Sequence, residues 1–201
     1  MLFGRGGTGG LINRVSKKAE IGEAFGSFDF GADSFGATDL AVDANFTTSD
    51  TTAVRLNLHT DQLANHRDFY EGERYGINPT FKIVAGDTIV DLSYEYADHE
   101  RFIDRGIPTV NNRPVESLKD VVFGVKGLNL QTLEASILRA NVAHDYSDNG
   151  KFNMSFTSSD FKKMYKNLYA AAYDASANTV KLDGYLDPTE RQNMILNANV
   201  V

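Results

Sequence analysis

Leu40-Ala41-Val42-Asp43-Ala44-Asn45-Phe46, followed after Ser49-Asp50-Thr51 by Val54-Arg55-Leu56-Asn57-Leu58-His59, is the stretch on which the fold turns. Side chains one residue apart in a strand point to opposite faces. Leu40, Val42, Ala44 and Phe46 therefore share one face of the first run, as Val54, Leu56 and Leu58 do of the second. Asp43, Asn45, Arg55 and Asn57 take the other face. Ser, Asp and Thr between the runs are turn formers, so the stretch predicts an antiparallel β-hairpin.

The same period of two extends outward in both directions. It recurs at Phe28 and Phe30, at Tyr75, Ile77, Phe81 and Ile83, and at Val90, Leu92, Tyr94 and Tyr96. It returns at Leu138-Ala140-Val142, at Phe152-Met154-Phe156 and at Met194-Leu196-Ala198-Val200. Ala85-Gly86-Asp87 and Ser147-Asp148-Asn149-Gly150 are further tight turns. The pattern predicts an all-β fold, an antiparallel meander of about eight strands near 24–31, 38–48, 52–61, 74–85, 88–98, 135–146, 151–175 and 178–201. Longer links are expected near 61–73 and 99–134. Pro79 falls inside a strand pattern, where a missing N–H is awkward.

One apolar and one polar face suits a soluble sandwich, with the apolar face inward, or a membrane barrel, with it outward. Short turns on one rim and long links on the other are the layout of an outer-membrane barrel. No stretch of about 18 apolar residues is present, so no transmembrane helix is encoded, which leaves a barrel open. With 20 Lys and Arg against 27 Asp and Glu, the net charge is −7, and no basic face points to nucleic acid. Cysteine is absent, which removes disulfides, thiolate zinc sites and a Cys nucleophile. Met1-Leu2-Phe3-Gly4-Arg5 lacks the basic and apolar regions of a signal peptide, and the last alternation still runs at Val201. The expectation is a chain cut at both ends.

Gly4-Arg5-Gly6-Gly7-Thr8-Gly9-Gly10-Leu11-Ile12-Asn13 contains the letters of a dinucleotide-binding G-x-G-x-x-G. That motif needs a preceding strand and a following helix, and neither pattern is present. A phosphate-binding loop fails because Leu11 follows Gly10 where Lys is required. A flexible glycine turn remains open on physical grounds. His59, His66, His99 and His144 sit at no metal-ligand spacing, with His66 and His99 read as loop residues. Asp98, Glu100 and Asp104, also read as loop residues, have no nucleophile or base beside them in sequence. No enzyme, cofactor or metal site is expected.

The run Leu2-Phe3-Gly4-Arg5-Gly6-Gly7-Thr8-Gly9-Gly10-Leu11-Ile12-Asn13-Arg14-Val15-Ser16-Lys17 resembles the last plug motif of TonB-dependent siderophore receptors. Tyr75-Gly76-Ile77-Asn78-Pro79-Thr80 resembles that family's fourth barrel strand, which commonly carries a proline there. Asp104-Arg105-Gly106-Ile107-Pro108 with Asn112-Arg113-Pro114 resembles its third extracellular loop. The resemblance implies the end of a plug at residues 1–19, and the N-terminal part of a barrel of about 22 strands at 20–201. It implies uptake of an Fe(III)-siderophore across a bacterial outer membrane, with lipid around the barrel and TonB acting through a plug segment absent from this chain. Such a piece is not expected to transport alone.

By resemblance, Gly4, Arg5, Gly6, Gly7, Gly9, Gly10 and Asn13 form the plug motif, with Phe3 and Arg5 near ligand. Arg101, Arg105, Arg113 and Lys119 against Asp104 and Glu116 make the segment 101–119 mildly basic, which fits attraction of an anionic ligand and fits equally a solvated loop. Lys17 or Lys18 would pair with barrel acids, expected in strands beyond this chain. Two alternatives stay open: a small closed outer-membrane barrel acting as scaffold or adhesin, and a soluble β-sandwich binding module.

Overall fold

The computed structural model describes Gly10 and residues 15–201. Residues 15–24 lie outside regular strands. After them come β1 (Phe25–Ala32), β2 (Thr38–Ser49), β3 (Thr52–Ala64), β4 (Glu71–Ala85) and β5 (Thr88–Phe102). Two short strands, β6 (Thr109–Val110) and β7 (Arg113–Pro114), precede a 3-10 turn at Glu116–Leu118. β8 (Leu130–Ser147), β9 (Gly150–Asp174) and β10 (Thr179–Val200) complete the chain. The eight long strands form one antiparallel sheet in chain order, and β6 pairs with β7 as a small hairpin. This is the predicted meander.

The strands overrun their predicted ends by more than one residue on one rim only. β3 continues to Ala64, β4 begins at Glu71, β5 continues to Phe102 and β8 begins at Leu130. The two longer links shrink accordingly to 65–70 and 103–129, and His99, Asp98 and Glu100 lie in β5, not in a loop. The opposite rim keeps its tight turns at 50–51, 86–87 and 148–149.

Register puts Phe28 opposite Val42, Val42 opposite Leu58 and Leu58 opposite Ile77. A second row joins Phe46, Val54, Phe81 and Leu92. These residues share a bare face, where Phe28 is 69%, Phe46 56% and Phe81 44% exposed. The other face is covered and polar. Asp43, Asn45, Arg55 and Thr80 are buried there, and the largest fully buried side chains are Asn45, Asn129 and Asn167. A sandwich buries its apolar face, so the sandwich alternative is lost. The small closed barrel is lost too, since β1 and β10 stand unpaired at opposite ends of the sheet.

Pro79 has no N–H for the β4–β5 ladder. The Asn78 Nδ2 donates to the Tyr94 carbonyl at 2.7 Å. That side chain repairs the gap from the polar face, and Pro79 stays paired with Leu56 on the β3 side.

Candidate functional site

The covered face is built around residues 15–24, which cross the sheet and are gripped by it. Lys17 Nζ lies 2.6 Å from Asp43 Oδ2 in β2, and Lys18 Nζ 2.6 Å from Asp91 Oδ2 in β5. Arg55 in β3 donates twice to Asp43, each at 2.8 Å, and also to the Lys18 carbonyl and Glu20. Its guanidinium carbon sits 4.8 Å from the Phe25 ring centroid. Asn45 accepts from the Glu20 N–H and donates to the carbonyls of Glu20 and Glu23. Lys82 completes the set on the second oxygen of Asp91 at 2.7 Å. Both lysine partners thus lie within this chain, which corrects the expectation that they belong to later strands. Alternation in the sequence places Asp43 and Arg55 on the polar face; sequence spacing does not show the path of residues 15–24 across it.

Beside this segment lies an open cleft of about 340 Å³, lined by Lys17, Asp29, Asn57, His59, Asn78 and Glu95 among others. Asn57 Nδ2 has no hydrogen-bond partner there.

The long-link rim carries the predicted arginines, and the structure separates them. Arg101 faces the covered side of β5 and donates twice to Gln131 Oε1, at 3.0 and 2.8 Å. Arg105 stacks over Tyr169 of β9 at 4.4 Å from the ring centroid, and over Tyr185 of β10 at 5.9 Å. Arg113 is exposed in the β6–β7 hairpin. Arg105 alone joins an aromatic group, because Tyr185 also stacks on Tyr165, with centroids 5.6 Å apart and planes at 17°. Between them on β9 is Asn167, 2% exposed, with both amide atoms unpartnered. These tyrosines were missed from sequence; the available signal was their period-two spacing, Tyr165-Asn167-Tyr169, on the polar face.

Phe3, Gly4, Arg5, Gly6, Gly7, Gly9 and Asn13 lie outside the described residues. Of the glycine motif only Gly10 is described, at φ +105°, a region that favours glycine.

No family model matches the chain. By sequence it is 28% identical over 157 residues to the probable TonB-dependent siderophore receptor PiuA of Acinetobacter baumannii, a match covering 74% of this chain and 21% of that protein. It is 23% identical over 187 residues to the metal-pseudopaline receptor CntO of Pseudomonas aeruginosa, covering 92% of this chain and 25% of that one. By fold it matches the closed form of the ferric-catecholate import receptor Fiu of E. coli K12, with TM-score 0.78 and 21% identity over 95% of this chain and 30% of that chain. The chain thus spans about a quarter of the curated relatives it matches. The resemblance read from the sequence is borne out to this extent: the chain is similar in sequence to siderophore and metal receptors, and its sheet matches part of the fold of one such receptor.

Proposed function

We propose that this chain forms the junction of plug and barrel in a TonB-dependent outer-membrane receptor that takes up a ferric siderophore. The observation that carries the reading is the gripped segment. Residues 15–24 lie across the polar face, held by two lysine–aspartate pairs and the Arg55 network, while the apolar face is bare. A bare apolar face is stable in lipid, and a polar face lining a lumen suits a water-filled or plugged barrel. In the intact receptor the covered face is lumenal, the tight-turn rim periplasmic and the 103–129 rim extracellular. Ligand meets Arg105, Arg101 and the β9–β10 tyrosines before it reaches the plug, with Phe3 and Arg5 on the plug side. Binding and movement of the ligand, with no bond made or broken, is the work assigned to these residues; TonB supplies the force through the plug.

The test is uptake of ⁵⁵Fe as its siderophore complex by cells making the full-length receptor. Accumulation is expected to require the receptor and to stop when TonB is deleted. Accumulation that persists without TonB, or that no ferric siderophore supports, would overturn the reading. Arg105→Ala is expected to weaken binding by about 1.5–3 kcal/mol, the range for hydrogen bonds to charged groups. Arg113→Ala, in the exposed hairpin, is expected to do less.

A further inference from the structure

Arg105 lies on the tyrosines of β9 and β10 although it comes from the 27 residues between β5 and β8 (103–129). A connection of that size is ordinarily mobile. This one is tied at several points. Asn129, 1% exposed, donates to the carbonyls of Ile103 (3.0 Å) and Leu168 (2.8 Å) and accepts from the N–H groups of Val125 (3.1 Å) and Leu168 (3.0 Å). One side chain thereby joins both ends of the loop to β9.

The second tie comes from a different connection. Arg67, in 65–70, pairs with Asp104 at 2.6 Å and donates to the carbonyls of Lys119 and Val121. Its partner's other oxygen accepts from the Gly106 N–H at 2.9 Å, which turns the chain around Arg105. The Arg67 and Asp104 side chains are only 14% and 9% exposed. Arg67 is itself held, its N–H donating to Asn65 Oδ1 at 2.7 Å. Phe69 follows at φ +63° and meets Phe102 edge-on at 6.5 Å. A planar guanidinium donates to a carboxylate and two carbonyls at once, which an ammonium point charge does less well.

The geometry points to Arg67 and Asn129 as positioning residues that hold 103–129 as a preformed ledge, so that Arg105 stands on the tyrosine wall before any ligand arrives. The ligand-binding part of this inference rests on the function proposed above; the preformed ledge does not. Ordering is then complete before binding, and affinity does not bear the entropy of fixing the loop.

Hydrogen exchange on the ligand-free, full-length receptor tests the ledge directly. The amides of Gly106, Val115, Val121 and Asn129 are expected to be protected, as their hydrogen bonds require. Arg67→Ala is expected to speed exchange across 104–121 at least 10-fold and leave β8 and β9 unchanged. Arg67→Lys is expected to restore 104–106 and leave 119–121 fast. A wild-type loop that exchanges like free chain, or an Arg67→Ala loop that stays protected, overturns the inference.

The second arm uses the ferric tris-complex of 2,3-dihydroxybenzoate as probe. Arg105→Ala and Arg67→Ala are each expected to weaken binding at least 10-fold, with no further loss in the double variant. A multiplied loss in the double variant, or no loss from Arg67→Ala alone, overturns the positioning role. If Arg105→Ala itself leaves binding unchanged, the pocket reading fails for this probe, and the ledge is decided by exchange.

Discussion

Asp43 takes two hydrogen bonds from one guanidinium and a third from Lys17, all between 2.6 and 2.8 Å. Its side chain and that of Arg55 are 12% and 11% exposed. Removing one partner of a buried pair leaves the other charge poorly solvated. Arg55→Ala is therefore expected to destabilise the wall by about 3 kcal/mol, the low end of the usual range because Lys17 remains. Equilibrium unfolding in detergent micelles measures the loss, and exchange of 15–24 should quicken with it. Lys82→Ala should cost less, about 1 kcal/mol, since Asp91 keeps Lys18. A titrating residue beyond the proposed membrane band is Asp174, at the β9–β10 turn. The Ser176 hydroxyl, then the Ala177 and Ser176 N–H groups, hold its carboxyl below the ordinary 3.8. A depressed acid contributes stability that is whole above the unfolded value and lost as pH falls through the folded one. The turn is thus expected to stay ordered at pH 5 and to loosen only below pH 3.8, read from the Ser176 amide resonance; loosening between pH 5 and 7 would contradict it.

Each strand records the environment of both its faces, and that decides how much of it sequence can reveal. On the bare face Phe81 stands among Val54 and Leu92, in the row that lipid is proposed to cover. Phe81→Arg is expected to cost about 2–4 kcal/mol at mid-bilayer, measured by folding into lipid vesicles. Arginine at the neighbouring Lys82 position, on the polar face, should be nearly neutral. Across this band one face is apolar, as the proposed lipid contact demands, so the period of two is plain in Leu40–Phe46 and Val54–Leu58. Towards the long-link rim both faces are polar, as at Glu71-Gly72-Glu73-Arg74 and Asp98-His99-Glu100-Arg101. No period marks those ends, so the sequence predicts links that take in Glu71–Glu73 and His99–Arg101. The ladder continues because its backbone hydrogen bonds need no apolar partner. Gly76 shows the same limit at one position. A Cβ there would lie 2.4 Å from His59 Cε1, so the glycine makes room for a ring two strands from His99, with centroids 6.5 Å apart. Gly76→Ala should displace His59 while β4 remains paired, visible as altered His59 and His99 imidazole resonances. Arg67 and Asn129 were unreadable for a related reason: their partners are mostly carbonyls, and a carbonyl leaves no mark in sequence.

Among the described residues the sheet has two unpaired edges, β1 and β10, and a face carrying Phe28, Phe46, Leu138, Met194 and Leu196 in the open. Both features favour association with other chains. The 201-residue chain in detergent-free buffer is therefore expected to sediment as heterogeneous assemblies; a monodisperse monomer with a sharp cooperative melt would contradict this. The strands also grow along the sheet, from 8 residues in β1 and 12 in β2 to 25 in β9 and 22 in β10. About 10 residues suffice for a tilted strand to cross the bilayer. In the proposed setting β1 would be spent within the membrane, while more than half of β9 would stand clear of it on the side where Arg105 rests. The mouth of the proposed receptor would then be lopsided, with a parapet over β8–β10 and a low sill over β1–β2. On that proposal a bulky solute drifting along the cell surface would cross at the sill and come to rest against the tall inner wall, where the tyrosines are.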